Sequence, residues 1–186
     1  MLRPALTLFV LLSLVTGLAY PLLVTGAALS LFPAQAQGSL ITVDGRAVGS
    51  QLIGQAFSDP KHFWSRPSAT GPMSHNAGAS GGANLGARNP ALQETVQARV
   101  QALRGVDPDN IAPVPVDLVT ASASGLDPHI SRAAADYQLT RVARSRGLEP
   151  AVLARLVDAH TERRVLGFLG EDRVNVLMLN LALDRR

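Results

Sequence analysis

The sequence predicts an α+β protein in which one N-terminal transmembrane helix precedes a single extracytoplasmic domain with a small sheet and about four helices. Three observations support this class: an uncharged apolar stretch over residues 5–31, a hairpin pattern over residues 40–48, and capped segments of helical periodicity in the second half of the chain. The predicted boundary follows residue 36, so residues 1–36 form the anchor and residues 37–186 form the domain.

The apolar stretch is long enough to cross a bilayer. At ~1.5 Å per helical residue, a stretch of about 27 residues exceeds the roughly 30 Å hydrocarbon core. Arg3 and the amino terminus precede the stretch, and the next basic residue is Arg46. This asymmetry favours a cytoplasmic amino terminus and places the domain outside the cytoplasm. The absence of cysteine agrees with an oxidising compartment.

A cleaved secretory signal is the alternative interpretation of this stretch. Residues 34–36, Ala-Gln-Ala, have the small–x–small pattern of a cleavage site. The apolar run is nevertheless about twice as long as the usual signal core, and little charge precedes it. A retained anchor is therefore the preferred prediction.

The domain is predicted to begin with a β-hairpin. Residues 40–43 are strand-like, Asp44-Gly45 is a strong turn signal, and residues 47–48 and 52–53 supply the return strand. From residue 59 to residue 90 the chain becomes rich in Pro, Gly, Ser and Asn. A loop of this length is usually functional or disordered, and we expect it to be ordered by a partner or by packing over the sheet.

The remaining chain is predicted to be mainly helical. A short strand is predicted over residues 116–120, which follow two prolines. The alternation of Val174, Val176 and Met178 also permits a strand near the end, although helix is preferred there. Four helices are predicted: from Asn89-Pro90 to Gly105, from Asp127-Pro128 to Arg146 with Gly147 as the stop, from Pro150 onward, and over residues 174–181.

The usual enzyme motifs are absent. Lys61 follows a proline rather than a glycine-rich turn, which excludes a Walker A loop. No Asp-Lys-Thr phosphorylation motif, His-Glu-x-x-His motif or cysteine occurs, and the histidines are scattered. Ser122 and Ser124 lack the glycine that precedes a hydrolase nucleophile. We therefore predict no catalytic residue and no metal site.

Nucleic acid is not an expected partner. The formal net charge of +3 is small for 186 residues, and no basic tract alternates with aromatic residues. The arginines of the predicted helices are interpreted as solvated faces and end charges.

A family resemblance extends over nearly the whole chain. Residues 116–131, VDLVTASASGLDPHIS, resemble the hallmark of the C subunit of the bacterial Kdp potassium-transporting ATPase. The other blocks that resemble this family are residues 49–55, 63–68, 80–86, 160–162, 167–171, 173–177 and 179–184.

The resemblance implies a non-catalytic accessory subunit of a high-affinity, ATP-driven potassium uptake complex. Its partners would be a channel-like potassium-binding subunit, a P-type ATPase subunit and the lipid of the bacterial inner membrane. In this family the C subunit stabilises the assembly, lies against the channel-like subunit on the outer face, and is described as a catalytic chaperone that raises the ATP affinity of the pump subunit.

The resemblance also suggests two groups of site residues. No cofactor of its own is expected. If the chain contacts ATP directly, Ser80, Gly81 and Gly82 would make the contact. The preferred interpretation is that these residues form a structural turn and that the chain affects ATP binding allosterically; direct ATP binding is the alternative. For Phe63 and Trp64, a core position is an equally open alternative. The predicted partner interface comprises Phe63, Trp64, Arg66, Asn84, Ser124, Asp127 and His129.

Overall fold

The structure, a computed structural model, describes residues 2–185 and divides the chain into two compact units, Met1–Ser50 and Gln51–Arg186. The predicted α+β class is confirmed, because helices are combined with two small antiparallel sheets. The predicted boundary after residue 36 is not tested by this division and stays a prediction about the anchor.

The first unit begins with one long apolar helix. It comprises α1 (Leu2–Leu14), a π-helical turn (Val15–Ala19) and α2 (Tyr20–Leu31). The π-turn ends two residues before Pro21, which has no N–H to bond the carbonyl of Gly17, and a wider turn accommodates that loss. With a mean hydropathy of 2.1 over its window, the helix is long and apolar enough to span a membrane, by length and composition alone.

A short helix and a hairpin complete this unit. Helix α3 (Pro33–Ala36) is followed by strands β1 (Leu40–Val43) and β2 (Arg46–Ser50), which pair antiparallel as predicted. Asp44 and Gly45 both have positive φ, 49° and 76°, as a tight hairpin turn requires. The expected extension of the return strand to residues 52–53 is wrong, because β2 ends at Ser50.

Within the described residues, the second unit combines four α-helices with a three-stranded sheet. Its elements are α4 (Pro90–Val106), β3 (His129–Ser131), α5 (Arg132–Arg146), α6 (Pro150–Ala159), β4 (Thr161–Glu162), β5 (Arg173–Asn175) and α7 (Val176–Asp184). The strand order is β3-β5-β4, and both pairs are antiparallel. Helix α5 contributes more buried residues than any other described helix, and its small Ala134, Ala135 and Ala143 allow neighbouring elements to approach closely.

Two secondary-structure predictions are wrong: the strand over residues 116–120 and the start of helix α5. Residues 116–120 form a 3₁₀ turn (Val116–Leu118) instead of a strand, because the Thr120 hydroxyl and N–H both bond the Val116 carbonyl. Helix α5 begins at Arg132 instead of residue 127. Its cap is Ser131, whose hydroxyl accepts from the Ala134 N–H at 3.0 Å. Residues 129–131 pair with β5 instead.

The other helical predictions are confirmed, with small shifts. Asn89 caps α4 by accepting from the Ala91 N–H, and the helix runs one residue past Gly105. Gly147 ends α5 in the left-handed conformation, at φ 64°. The last segment contains both predicted alternatives in succession, since β5 ends at Asn175 and α7 begins at Val176.

Candidate interaction site

The start of the Pro/Gly-rich segment, residues 59–89, is held by two buried amide side chains. Asn180 of α7 accepts from the Phe63 N–H at 2.9 Å and donates to its carbonyl at 3.0 Å. Gln138 of α5 does the same for Trp64, at 2.7 and 3.2 Å. Each side-chain amide thus bonds both the N–H and the carbonyl of one residue, as the backbone of a neighbouring strand would. The start of the segment is therefore held by the domain's own helices α5 and α7.

A buried arginine holds the residues just before this point. The Arg141 guanidinium donates to the carbonyls of Pro60 and His62 and, at 2.8 Å, to the Gln138 side chain. It also lies 5.0 Å from the ring centroid of Trp64, within cation–π range. Burial lowers the pKa of Arg141 to about 10, so the group remains charged at neutral pH.

Two of the predicted interface aromatics therefore differ in exposure. The Phe63 side chain is completely buried in the core, which is the alternative that the sequence left open, and it offers no surface to a partner. Trp64 is half-buried beneath Arg141 and donates its indole N–H to the Asp59 carbonyl at 3.0 Å. Of these two residues, Trp64 is the one that keeps some exposed area.

The Ser80-Gly81-Gly82 run packs against the turn at residues 122–125. The Gly81 N–H donates to the Ser124 carbonyl at 2.9 Å, and the Ser80 hydroxyl reaches the same oxygen at 3.1 Å. A Cβ on Gly82 would lie 2.9 Å from the Ala123 carbonyl oxygen. The glycines thus permit a close approach between two backbones.

Gly125 makes the reciprocal contact. Its φ is +68°, and a Cβ there would lie 2.7 Å from both the Gly81 carbonyl oxygen and the Thr70 methyl group. The Ser68 hydroxyl donates to the Gly125 carbonyl at 2.7 Å. Predicted site residues Ser80, Gly81 and Ser124 are thus brought together, and their polar groups are used within the domain.

Three other predicted interface residues form a polar cluster. The Asp127 carboxylate accepts from the Arg66 guanidinium at 3.0 Å and from the His129 N–H at 3.0 Å, and it lies 3.3 Å from the His129 Nδ1. Burial opposes ionisation of Asp127, but the hydrogen bonds from His129 and the Arg66 charge outweigh it, and its pKa is lowered. Asp127 therefore does not cap a helix, as the sequence suggested, but fixes a turn.

The cluster extends to residues that the sequence did not single out as site residues. The His129 Nε2 lies 3.7 Å from Glu162, whose other carboxylate oxygen accepts from Arg173 at 2.8 Å. Glu162 belongs to a block of the family resemblance, but no periodicity or motif indicated that β4 would bring it to His129. Only the strand order β3-β5-β4 does so.

The cluster opens onto a cleft of about 560 Å³. Asp117, which also lines the cleft, accepts from the Ser131 N–H at 2.7 Å and lies 3.2 Å from the Ser131 hydroxyl. The cleft is lined by Arg66, Pro115, Val116, Asp117, Asp127, His129, Ile130, Ser131, Ala133, Glu171, Asp172 and Arg173. Its mixed charges suit a polar contact surface.

Asn84 stands apart from this cluster. It is exposed, has a positive φ of 51°, and lines a different recess with Arg99 and Val119. Within residues 2–185, no group of three or more His, Cys, Asp or Glu side chains is arranged to hold a metal ion.

Comparison with known proteins identifies the family. A family model described as "KdpC: K+-transporting ATPase, c chain" matches residues 2–185. The chain belongs to the KdpC family. A relative from Variovorax paradoxus (strain S110), named Potassium-transporting ATPase KdpC subunit, is 66% identical over 182 residues, which cover 98% of this chain and 94% of the relative.

Two further relatives bear the same name. The Polaromonas naphthalenivorans (strain CJ2) protein is 68% identical over 183 residues, covering 98% of this chain and 93% of its own length. The Sorangium cellulosum (strain So ce56) protein is 62% identical over 183 residues, covering 98% and 96%. The KdpC identification and the candidate span together indicate a membrane protein that is a subunit of a potassium-transporting ATPase.

Proposed function

We propose that this chain is a single-span, non-catalytic subunit that docks its extracytoplasmic domain on the channel-like subunit of a Kdp-type pump and stabilises the assembly. The observation that carries the proposal is the family match over residues 2–185, since the relatives are named as subunits of a potassium-transporting ATPase. The arginine-poor loop after the apolar helix supports the orientation.

The polar cluster around Asp127 supports a docking role for the domain. Arg66 and His129 both converge on one carboxylate at the mouth of a cleft, and the Arg66 Nε is buried without a hydrogen-bond partner in the described chain. Arginine is enriched among residues that dominate interface energies. Docking on a partner surface is the proposed use of this cluster.

The effect on ATP is proposed to be allosteric. The chain would bind one conformation of the pump more tightly than another, and linkage would then raise the apparent ATP affinity. The packing of Gly81 and Gly82 against residues 122–125 supports an indirect effect, because the Gly81 N–H already has a protein acceptor. Direct ATP binding would require free amides at this run.

The test of assembly is co-purification in mild detergent. Arg66→Ala should lower the yield of pump subunits that co-purify with this chain, while Arg155→Ala, at an exposed position of α6, should not. Thermal unfolding of both variants checks that the domain is intact. Recovery of the pump at the wild-type level with Arg66→Ala would remove Arg66 from the interface.

Enzyme kinetics test the proposed effect on ATP affinity, and amino-terminal sequencing tests whether the anchor is retained. Hydrolysis by the complex should show a higher KM for ATP when this chain is omitted, and saturable ATP binding to this chain alone would favour direct contact instead. A mature amino terminus near residue 37 would support the alternative of a released secreted binding protein.

A further inference from the structure

The connection between β4 and β5, residues 163–172, exposes apolar side chains; we call it the tail loop. The exposed large apolar residues elsewhere in residues 51–185 are single positions: Leu52, Met73, Ile111 and Val116. In the tail loop four occur within five positions, with exposed fractions of 65% for Val165, 79% for Leu166, 70% for Phe168 and 50% for Leu169. A concentration of this kind marks an interaction surface.

The tail loop is a defined structure. The N–H groups of Val165 and Leu169 each donate to the other's carbonyl, at 3.0 and 2.9 Å. Leu166 and Gly167 turn the chain with φ values of 55° and 79°. At the base, Asp172 accepts from the Arg164 N–H at 3.0 Å and from the Arg163 guanidinium at 2.9 Å. The apolar side chains are thus held outward by the backbone.

The charges of the tail loop favour a polypeptide partner over a lipid surface. Arg163 and Arg164 are matched by Glu171 and Asp172, so the loop has no formal net charge. Attraction to anionic headgroups depends on an excess of basic residues, which this loop lacks. A rim of both signs around an apolar centre is typical of protein interfaces.

The tail loop is also continuous with the proposed docking cluster. Its last two residues, Glu171 and Asp172, line the same cleft as Arg66, Asp127 and His129. The base of the apolar loop therefore belongs to the polar cleft, and an apolar centre beside a polar rim is the arrangement of a specific interface.

We propose that the tail loop is the apolar anchor of this surface and inserts into an apolar pocket on the aqueous side of the channel-like subunit. Phe168, an aromatic side chain at the tip, is the main contact, and the Asp127 cluster forms the rim. This inference rests on the proposed function, because it takes that complex as the partner.

Site-specific photo-cross-linking in the assembled complex tests the proposal. The photoreactive amino acid p-benzoyl-L-phenylalanine replaces Phe168, and a matched control places it at Ile111, which is 94% exposed and lies outside the loop. We expect a covalent adduct between position 168 and a peptide of the channel-like subunit, and none from position 111. Adducts only to lipid, or no adduct, would overturn the proposal.

A second measurement uses Phe168→Ser. Since Phe168 is exposed, we expect the fold to be unchanged and retention of this chain in the diluted, detergent-solubilised complex to fall about tenfold, with no loss for Ile111→Ser. If the wild-type chain does not co-purify with the pump, the proposed function fails. If the wild-type chain co-purifies and Phe168→Ser is retained equally, only the tail-loop proposal fails.

Discussion

Two irregular segments of the second unit use their residues in opposite ways. The Pro/Gly-rich segment, residues 59–89, looks like a binding loop, yet its backbone at residues 60–64 is bonded to Asn180, Gln138 and Arg141, and its Gly81 and Gly82 pack on the turn at residues 122–125. The tail loop is shorter, but it turns its large apolar side chains outward. Glycine and proline content is therefore a poor guide to which loop is free to contact a partner.

The sharpest test of this comparison removes one of the buried amides. Gln138→Ala leaves the Trp64 N–H and carbonyl without their partner and takes one acceptor from Arg141. Unpaired buried groups cost about 1–3 kcal/mol each, so we expect a loss of about 2–4 kcal/mol in the free energy of unfolding. Urea unfolding of the detergent-solubilised chain measures it.

The matched control is Gln101→Ala, at an exposed position of α4, which should change stability by about 0.5 kcal/mol or less. Equal effects of the two substitutions would mean that the Pro/Gly-rich segment does not depend on Gln138, and the contrast between the loops would then be lost.

A glycine pair tests the packing of the same segment. Gly125→Ala introduces both a left-handed alanine and a Cβ that would lie 2.7 Å from the Gly81 carbonyl oxygen. Gly147→Ala has a similar φ of +64° but nothing within 4 Å of the new Cβ. We expect about 1 kcal/mol of destabilisation for Gly147→Ala and about 2–3 kcal/mol for Gly125→Ala, measured by thermal unfolding. Similar melting temperatures would refute the close approach.

Acid should weaken the contribution of the Asp127 cluster to the stability of the fold. The pKa of Asp127 is lowered in the folded state, so its ionised form stabilises the fold above the unfolded-state pKa of about 4, and this contribution is lost as pH falls through the lower folded value. The stability difference between wild type and Asp127→Asn should therefore shrink below about pH 4.

Thermal unfolding across this acidic range measures the effect, with Asp109→Asn as the comparison, because the Asp109 side chain is 85% exposed. A wild-type to Asp127→Asn difference that stays constant with pH would mean that the Asp127 charge does not stabilise the turn.

The smallest change in stability is expected for a substitution in the tail loop, the exposed member of the comparison. Phe168→Ser removes a side chain that is 70% exposed, so the free energy of unfolding of the isolated chain should change by about 0.5 kcal/mol or less. Phe63→Ser is the contrasting control, because Phe63 is completely buried and its loss should destabilise by about 3–5 kcal/mol. A large effect of Phe168→Ser would place the tip of the tail loop in the core.

Short sequence patterns correctly predicted the turns and helix ends that depend on local backbone geometry. Asp44-Gly45 predicted a hairpin, Asn89-Pro90 a helix start and Gly147 a helix stop, and the structure has all three. Each depends on the backbone preferences or the capping side chain of one or two residues. The apolar stretch likewise predicted the long helix, since length and composition are sufficient for that prediction.

Local sequence patterns did not predict the strands correctly at residues 116–120 and 161–162. The first looked like a strand but forms a 3₁₀ turn, and the second carried no strand signal but pairs with β5. Strand formation depends on a partner that is distant in sequence, and the exposure of Phe168 or the burial of Phe63 depends on what packs against each. By itself the sequence determined the class, the anchor candidate, the local turns and the family. Only the tertiary structure decided that buried side chains bond the backbone of residues 60–64 while the apolar side chains of residues 165–169 are exposed, because long-range hydrogen bonds and burial are not properties of local sequence.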